Sequence, residues 1–271
     1  MTTTTTTTTP TPTPMSTTSP YAVTPRRIMR AEWHKLLTLR STWWTLGLAT
    51  ALVIGVGLMM GSTYDGDDAN IDTVLFILFG SQLSQICVAV LGILVTASEY
   101  STGLVRATMA AVPRRLPVLW SKAGVFTACA FTLTFATNVV TFLLAQIWLS
   151  DTDKSLSLTD SGVLGALAGN AAGVTLLSLI ALGLGALCRS IPAAIGAFVG
   201  AVMILPEVLG VISDDFVQSA LKYFPAKSAE SLGTILPPAD HNAPVTGLVS
   251  LLVWAAAVLA AAALLLKRRD V

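Results

Sequence analysis

The stretch Ser98–Lys122, SEYSTGLVRATMAAVPRRLPVLWSK, separates two long apolar runs of the sequence. Besides one acid, Glu99, it contains four basic residues, which are Arg106, Arg114, Arg115 and Lys122. A segment with this many charges is too polar to lie in lipid. Because the sequence around it is overwhelmingly apolar, we expect the rest of the chain to be a membrane domain built around this segment.

The overall composition is that of a membrane protein. Charged residues make up 11% of the 271 residues, against roughly 25% in soluble domains, and the mean hydropathy is +0.73. The net charge of +1 provides no basic field for a nucleic acid. The cysteines Cys87, Cys129 and Cys188 are odd in number and widely spaced, so they indicate core residues rather than a disulfide framework or a metal site.

Six apolar runs are each close to the roughly 20 residues that a helix needs to cross a bilayer. The fourth and fifth are separated only by Cys188–Ser190, a tight hairpin with Pro192 in the first turn of the next helix. The fold class is therefore an all-α polytopic membrane protein. The predicted spans are Trp43–Gly61, Thr73–Ala97, Ala123–Leu149, Gly162–Leu187, Ile191–Ile212 and Val245–Leu266.

The sequence before the first span divides into two parts. Residues 1–24 are rich in Thr and Pro and are expected to be a disordered tail. The segment Pro25–Ser41 has the pattern of an amphipathic helix in the membrane interface, followed by the aromatic pair Trp43 and Trp44. A solvated basic leader is the alternative. The predicted apolar face is Met29, Trp33, Leu36 and Leu37, and the basic face is Arg27, Arg30 and His34.

The distribution of basic residues sets the predicted orientation. With the N-terminus inside, all Lys and Arg except Lys154, Lys222 and Lys227 lie in the cytoplasm, so both termini are predicted to be cytoplasmic. This topology puts His34 and His241 on opposite sides of the membrane, which argues against a paired-histidine zinc site within one subunit.

The last outer segment, Ser213–Pro244, is longer than the other two outer loops and carries apolar residues interrupted by prolines. Apolar side chains in a loop need cover. We therefore predict short helices that form a partly buried cap, with a flexible exposed loop as the alternative.

No enzymatic or energy-coupling site is evident in the sequence. It contains no Gly-x-x-x-x-Gly-Lys-Ser/Thr motif, so it does not bind ATP through a P-loop, and we predict neither catalytic residues nor a cofactor in this chain. Glu207 is the one charged residue within the predicted spans. A hydrated, kinked helix end, an outer gate and a proton relay all remain open for it.

Small and polar residues within the spans indicate helix packing. Glycines at every fourth position allow close approach of helix backbones, or sliding between two transport states; these are Gly165, Gly169 and Gly173 in the fourth span and Gly196 and Gly200 in the fifth. Uncharged polar side chains either join helices or line a path for substrate; these are Gln82, Gln85, Asn138, Gln146 and Asn170.

The polar stretch itself is predicted to contain a short helix over Ser98–Ala111. Ser98 is placed as its N-cap, and Glu99 favours its first turn. Leu104, Val105 and Met109 would form an apolar face, and Pro113 would end the helix, leaving Pro113–Lys122 as an anchor of the topology. An ordinary positively charged inner loop is the alternative.

The sequence resembles the membrane subunits of type-2 ABC transporters, especially actinobacterial permeases. The resemblance covers about residues 25–271 and rests on LRSTWW at 39–44, EYSTGLVRAT at 99–108 and Pro113-Arg114-Arg115, together with the order of the elements. The family pattern implies a connecting helix at Pro25–Ser41, a cytoplasmic coupling helix between the second and third spans, and an outer gate region at Ser213–Pro244.

The resemblance also implies partners. These are an ABC ATPase subunit carrying ATP and Mg²⁺, a second permease subunit that is identical or different, and the lipid of a bacterial cell membrane. The implied ATPase-coupling residues are Glu99, Tyr100, Ser101, Thr102, Gly103, Leu104, Arg106 and Met109; those of the connecting helix are Arg27, Arg30, Trp33, Leu36 and Leu37. The expected function is export of a hydrophobic or amphipathic substrate, whose binding residues remain unknown. An ion-coupled secondary transporter and a non-transporting anchor or sensor subunit are the alternatives.

Overall fold

The computed structural model describes residues 24–64, 72–105, 115–150, 152, 154–235 and 241–268. Within these ranges the regular structure is entirely helical, and six helical stretches are long and apolar enough to cross a membrane. The prediction of an all-α, multi-pass membrane protein is confirmed. The proposed N-terminal tail and the residues Arg106 and Met109 lie outside the described ranges.

The helices follow one another with short connections. They are α1 (Pro25–Thr38), α2 (Arg40–Ser62), α3 (Thr73–Ile77), α4 (Gly80–Ser101), α5 (Arg115–Leu149), α6 (Val163–Cys188), α7 (Ile191–Ala197), a π-helix (Phe198–Ile204), α8 (Leu205–Gly210), α9 (Asp215–Leu221), α10 (Pro225–Glu230), a 3₁₀ turn (Ser231–Gly233) and α11 (Pro244–Arg268). The fifth span comprises α7, the π-helix and α8.

The helices begin and end differently from two of the predicted spans. The second span was expected to be continuous from Thr73, but the chain turns at Leu78 and Phe79 between α3 and α4. The third was expected to begin at Ala123, but α5 begins at Arg115. The polar stretch is therefore helical from Arg115 onward and continuous with the third span.

Helices α4 and α6 form the centre of the bundle and cross at glycines. A Cβ atom on Gly92 would lie 2.6 Å from the Ser178 carbonyl oxygen, and one on Gly185 would lie 2.3 Å from Thr96 Oγ1. The Thr96 hydroxyl also donates a 2.9 Å hydrogen bond to the Leu182 carbonyl. Close backbone contact and a buried hydrogen bond thus fix this helix pair.

The other glycine predictions have a mixed outcome. Gly169 and Gly173 make close contacts, but with Leu232 and Ala229 of the segment after α9 and not with another spanning helix. At Gly196, Gly200 and Gly165, a Cβ would have no atom of the described residues within 4 Å. Among the described residues, the predicted close helix contact is therefore not found at these last three positions.

The predicted cap is present at the end of the bundle opposite to α1. Short helices α9 and α10 and the 3₁₀ turn occupy this segment, and α10 and the turn are largely buried against α6 and α11. Asp72 fastens the cap to α3, because one carboxylate oxygen accepts from the Val74 amide at 3.0 Å and the other from the Ile235 amide at 2.6 Å. The prediction of short helices in a partly buried cap is confirmed.

Asn138, one of the polar residues inside the spans, joins three helices. Its amide donates to the Leu167 carbonyl and to Asn170 Oδ1, both at 3.1 Å. Asn170 in turn donates to Ser81 Oγ at 2.9 Å. Asn138 and Asn170 therefore connect α5, α6 and α4, which favours the helix-joining interpretation for this pair.

The three cysteines are free and half-buried, and each packs against the main apolar core. Their interpretation as core residues is confirmed.

Candidate functional site

Four charged side chains meet at the end of the bundle where α1 begins and α11 ends. Lys122 of α5 contacts Glu32 of α1 at 2.7 Å and Glu99 of α4 at 2.9 Å. Lys35 of α1 contacts the same two carboxylates, at 3.0 Å and 2.9 Å. We refer to Glu32, Lys35, Glu99 and Lys122 as the four-charge cluster. It links the interfacial helix to the second and third spans.

The four-charge cluster is neutral in sum and largely removed from solvent. The side chains of Lys122 and Glu32 are each 5% exposed and that of Glu99 is 11% exposed, whereas that of Lys35 is 35% exposed. Burial acts to lower the pKa of Lys35, but the hydrogen bond to Glu99 and the field of Glu32 outweigh it, so the pKa is raised. Lys35 is therefore charged at neutral pH. Each buried charge has an opposite partner, which such a site requires.

The register of α1 brings its half of the cluster into place. Ile28, Glu32 and Leu36 are spaced four apart and are all buried, because this face packs on α5. Met29, Trp33 and Leu37 are exposed, as expected of a face toward lipid. Met29, Trp33 and Leu37 thus share the exposed apolar face that the sequence predicted. Leu36 was wrongly placed on that face, because it lies on the buried face that packs on α5. The basic residues Arg27, Arg30 and His34 are exposed, as predicted.

Helix α4 continues further into the polar stretch than predicted. It ends at Ser101, and the hydroxyl of Ser98 donates to the Leu94 carbonyl within the helix. Ser98 is therefore not an N-cap, and the helix that was predicted to begin at Ser98 does not begin there. Helical conformation resumes at Leu104 and Val105, after a turn at Gly103 with φ of +72°.

The implied ATPase-coupling residues separate into two groups. Glu99 is buried in the four-charge cluster, and Tyr100 is half-buried with its ring 5.1 Å from the Arg189 guanidinium carbon. Both contact other residues of this chain, and their assignment to ATPase coupling stays a prediction. Ser101, Thr102, Gly103 and Leu104 are exposed. We refer to residues 101–104 as the exposed turn.

The contact between Tyr100 and Arg189 joins the end of α4 to the hairpin between α6 and α7. Arg189 has a positive φ of 54° and closes this hairpin. A guanidinium over an aromatic ring is attracted by the ring's π electrons. The end of α4 is thus fixed on one side by the four-charge cluster and on the other by the fourth-to-fifth hairpin.

A second group of charges lies at the cap. Lys227 of α10 contacts Glu207 of α8 at 3.2 Å and Glu230 at 3.4 Å, and His241 contacts Glu230 at 3.0 Å. The Glu207 side chain is 65% exposed, which fits a hydrated helix end. Its pairing with Lys227 attaches the end of the fifth span to the cap, so Glu207 also stays a candidate for an outer gate.

Sequence reasoning missed the roles of Glu32, Lys35 and Lys122. The sequence did contain a signal for Glu32, because it lies midway between the apolar residues Ile28 and Leu36 on one face of α1. A carboxylate that is buried on such a face needs a cation beside it. Lys122 was assigned to topology anchoring, but its burial and its two carboxylate partners give it a packing role. No local pattern could have paired it with a residue 90 positions away.

No family model matches this chain, and no curated protein matches it.

Proposed function

We propose that this chain is the permease subunit of an ATP-driven exporter of the type-2 ABC kind, moving a hydrophobic or amphipathic molecule out of a bacterial cell. ATP and Mg²⁺ are bound by a separate ATPase subunit, and a second permease subunit completes the complex. Both chain termini are on the cytoplasmic side in this proposal. The chain itself carries out no hydrolysis.

The observation that carries this proposal is the position of the four-charge cluster directly beside the exposed turn. Glu99 stands two residues before Ser101, and its carboxylate contacts both lysines of the cluster. A displacement of the exposed turn is therefore transmitted to α1, α4 and α5 together. An exposed segment connected to three helices is the geometry by which a soluble motor can drive a membrane domain.

A cavity of about 290 Å³ adjoins the four-charge cluster on the side of the exposed turn. Its apolar lining includes Leu36 and Leu39 from the α1 end, Val95 of α4 and Leu104 of the turn. An incomplete contact between α1 and the turn leaves room for the two to move toward each other. In our proposal, closure of the ATPase dimer pushes the turn against α1 and tilts the first three spans.

The chain offers a matched pair of positions with which to test this coupling. Thr102 and Thr63 each follow the last residue of a spanning helix, are exposed, and donate a 2.8 Å hydrogen bond to the carbonyl four residues earlier. Thr102 lies in the exposed turn, whereas Thr63 lies at the opposite end of the bundle. Thr102→Arg and Thr63→Arg therefore differ in location and little else.

The experiment co-expresses each variant with the candidate ATPase, a soluble P-loop protein that we expect a neighbouring reading frame to encode, and measures co-purification and ATP hydrolysis in lipid nanodiscs. We expect Thr102→Arg to lose ATPase binding and permease-dependent hydrolysis, and Thr63→Arg to retain both. Equal behaviour of the two variants, or a chain that purifies without any ATPase from its native membrane, would contradict the proposed function.

An ion-coupled secondary transporter is the second candidate, favoured by the burial of Glu99 and Lys122 at the ends of spanning helices. Buried ionisable groups in membrane proteins often belong to ion or proton relays. The two candidates differ in their energy source. Transport into inverted vesicles that stops when a protonophore is added while ATP is held constant would favour the second candidate, and transport that continues would favour the first.

A further inference from the structure

A partly open cavity of about 190 Å³ lies at the cap end of the bundle and is lined by residues of one chain. It is bounded by α3 and the beginning of α4 on one side, by α6 on another, and by α10 and the residues after it on the third. A buried apolar cavity of about 150 Å³ is known to admit a benzene-sized molecule. The cavity is therefore large enough for a small organic ligand.

The walls of the cavity differ in chemistry. Leu75, Leu78 and Phe79 form an apolar wall at the junction of α3 and α4. Gln82 and Gln85 follow on α4, and Glu230 and His241 lie at the side of the cap. An apolar enclosure with a few polar groups at defined places is typical of a small-molecule site.

The two glutamines retain hydrogen-bonding capacity. Gln85 is buried, and among the described residues its side-chain amide makes one long hydrogen bond, from Nε2 to Gln82 Oε1 at 3.4 Å. A glutamine side chain can donate two hydrogen bonds and accept two. A buried amide that uses so little of this capacity costs free energy unless another group completes it, and the cavity is where such a group would sit.

Glu230 supplies the one fixed charge among the residues that line the cavity. Both of its contacts within the described residues, with Lys227 and His241, are made through Oε2. Burial acts to raise the pKa of Glu230, but the hydrogen bond from His241 and the charge of Lys227 outweigh it, and the pKa is lowered. The side chain is therefore a carboxylate at neutral pH, with Oε1 open to a further donor.

From this arrangement we infer that the cavity is a binding site for a small amphipathic cation. Its ammonium group would donate to Glu230 Oε1 and to the Gln85 carbonyl, while its apolar body lies against Leu78 and Phe79. The site is complete within one chain and needs neither a second subunit nor ATP. The further step of regarding this ligand as the exported molecule rests on the proposed function.

The test uses two probes of matched size and shape, the cation 2-phenylethylamine and the neutral 2-phenylethanol. Binding to the purified full chain in nanodiscs, without an ATPase, is measured by calorimetry at neutral pH. We expect the amine to bind more tightly than the alcohol. Glu230→Gln is expected to weaken amine binding roughly 10- to 100-fold, the range of a hydrogen bond to a charged group, and to leave alcohol binding unchanged.

Two further variants complete the design. Glu207→Gln removes the other carboxylate that contacts Lys227 but lies outside the cavity lining, and it should leave both affinities unchanged. Leu75→Trp fills the cavity from the half-buried side of α3 and should abolish binding of both probes. Equal affinity for amine and alcohol, an amine affinity insensitive to Glu230→Gln, or binding that survives Leu75→Trp would each overturn the inference.

Because the assay contains no ATPase, its outcome is separate from that of the proposed function. Loss of ATPase coupling with intact amine binding would contradict the transport proposal alone. Intact coupling with no charge-dependent binding would contradict the cavity site alone.

Discussion

The Lys122 ammonium lies 2.7 Å from the Glu32 carboxylate, and this contact joins residues 90 positions apart. Each side chain is 5% exposed, so water could not solvate either charge if its partner were removed. Because Lys122 also contacts Glu99 at 2.9 Å, one ammonium holds α1 and α4 on α5. Of the two lysines in the cluster, Lys122 is therefore the one that links α5 to both α1 and α4.

Replacing Lys122 with Met should destabilise the protein strongly, by about 3–5 kcal/mol, since it leaves the buried carboxylates Glu32 and Glu99 with Lys35 as their remaining partner in the cluster. Lys35→Met is the matched control, because Lys35 contacts the same carboxylates but is 35% exposed. We expect a clearly smaller loss there. Thermal unfolding in nanodiscs measures the loss of stability in both variants. Equal losses would contradict the importance that we assign to the burial of Lys122.

Exchanging the partners, with Glu32→Lys and Lys122→Glu in one chain, should recover part of the stability that either single substitution loses. The exchange restores the contact between α1 and α5 but puts two carboxylates, at positions 99 and 122, beside each other. A double-mutant cycle on the same unfolding measurement gives the coupling energy. A coupling energy near zero would show that the contact holds neither helix.

Gly103 should tolerate Asn better than Val. Its φ of +72° is disfavoured for residues with a Cβ, although a Cβ there would have no neighbour among the described residues within 4 Å. Asn adopts this conformation more readily than a β-branched residue. If the exposed turn binds an ATPase, Gly103→Val should reduce permease-dependent ATP hydrolysis and Gly103→Asn should largely preserve it. Identical hydrolysis in the two variants would show that the turn conformation is unimportant.

Gly169→Ala should loosen the cap. The new Cβ would come within 2.0 Å of the Leu232 carbonyl oxygen, so the 3₁₀ turn must move. Gly165→Ala on the same helix is the control, because no atom in the described part of the chain lies within 4 Å of its Cβ. Limited proteolysis should cut the segment 213–244 faster in Gly169→Ala and at the wild-type rate in Gly165→Ala. Equal cleavage rates would argue against close packing of the cap on α6.

The cap should become less stable in acid. The pKa of Glu230 is lowered in the folded protein from its ordinary value of 4.5, so the stabilisation is present above that value and is lost as the pH falls below it toward the folded-state pKa. Proteolysis of the cap by pepsin, which is active in acid, should accelerate over this window. Glu230→Gln should remove most of that acceleration, and an unchanged pH profile in this variant would contradict the assignment.

Hydropathy was sufficient to predict the six spans, because bilayer thickness fixes both the length and the composition of a crossing helix. The limits of this reasoning show at Glu99. The sequence placed it in the first turn of a separate short helix, whereas the structure places it at the end of α4 between two lysines from other helices. Whether a charge at a helix end faces water or a distant counter-ion depends on tertiary contacts that no local pattern encodes.

The break between α3 and α4 shows a second limit. Thr73–Ala97 contains no charged residue, so hydropathy gave no reason to divide it. Asp72 caps α3 and binds the Ile235 amide at the same time, so the short helix α3 is attached to the cap. The contact between Asp72 and the cap, and the cavity behind it, depend on Ile235, which is 163 positions away in the chain. The sequence therefore indicated the cap but not its attachment to α3.

The π-helix at Phe198–Ile204 has a geometric consequence for the fifth span. The buried residues Ala194, Phe198, Val202 and Pro206 are spaced by four, and in a regular α-helix such a row drifts by roughly 40° per step. The wider π turns take up this drift and align the four residues as a straight seam. A continuous α-helix in this place would turn Pro206 off the seam, since each step of four residues would then drift by roughly 40°.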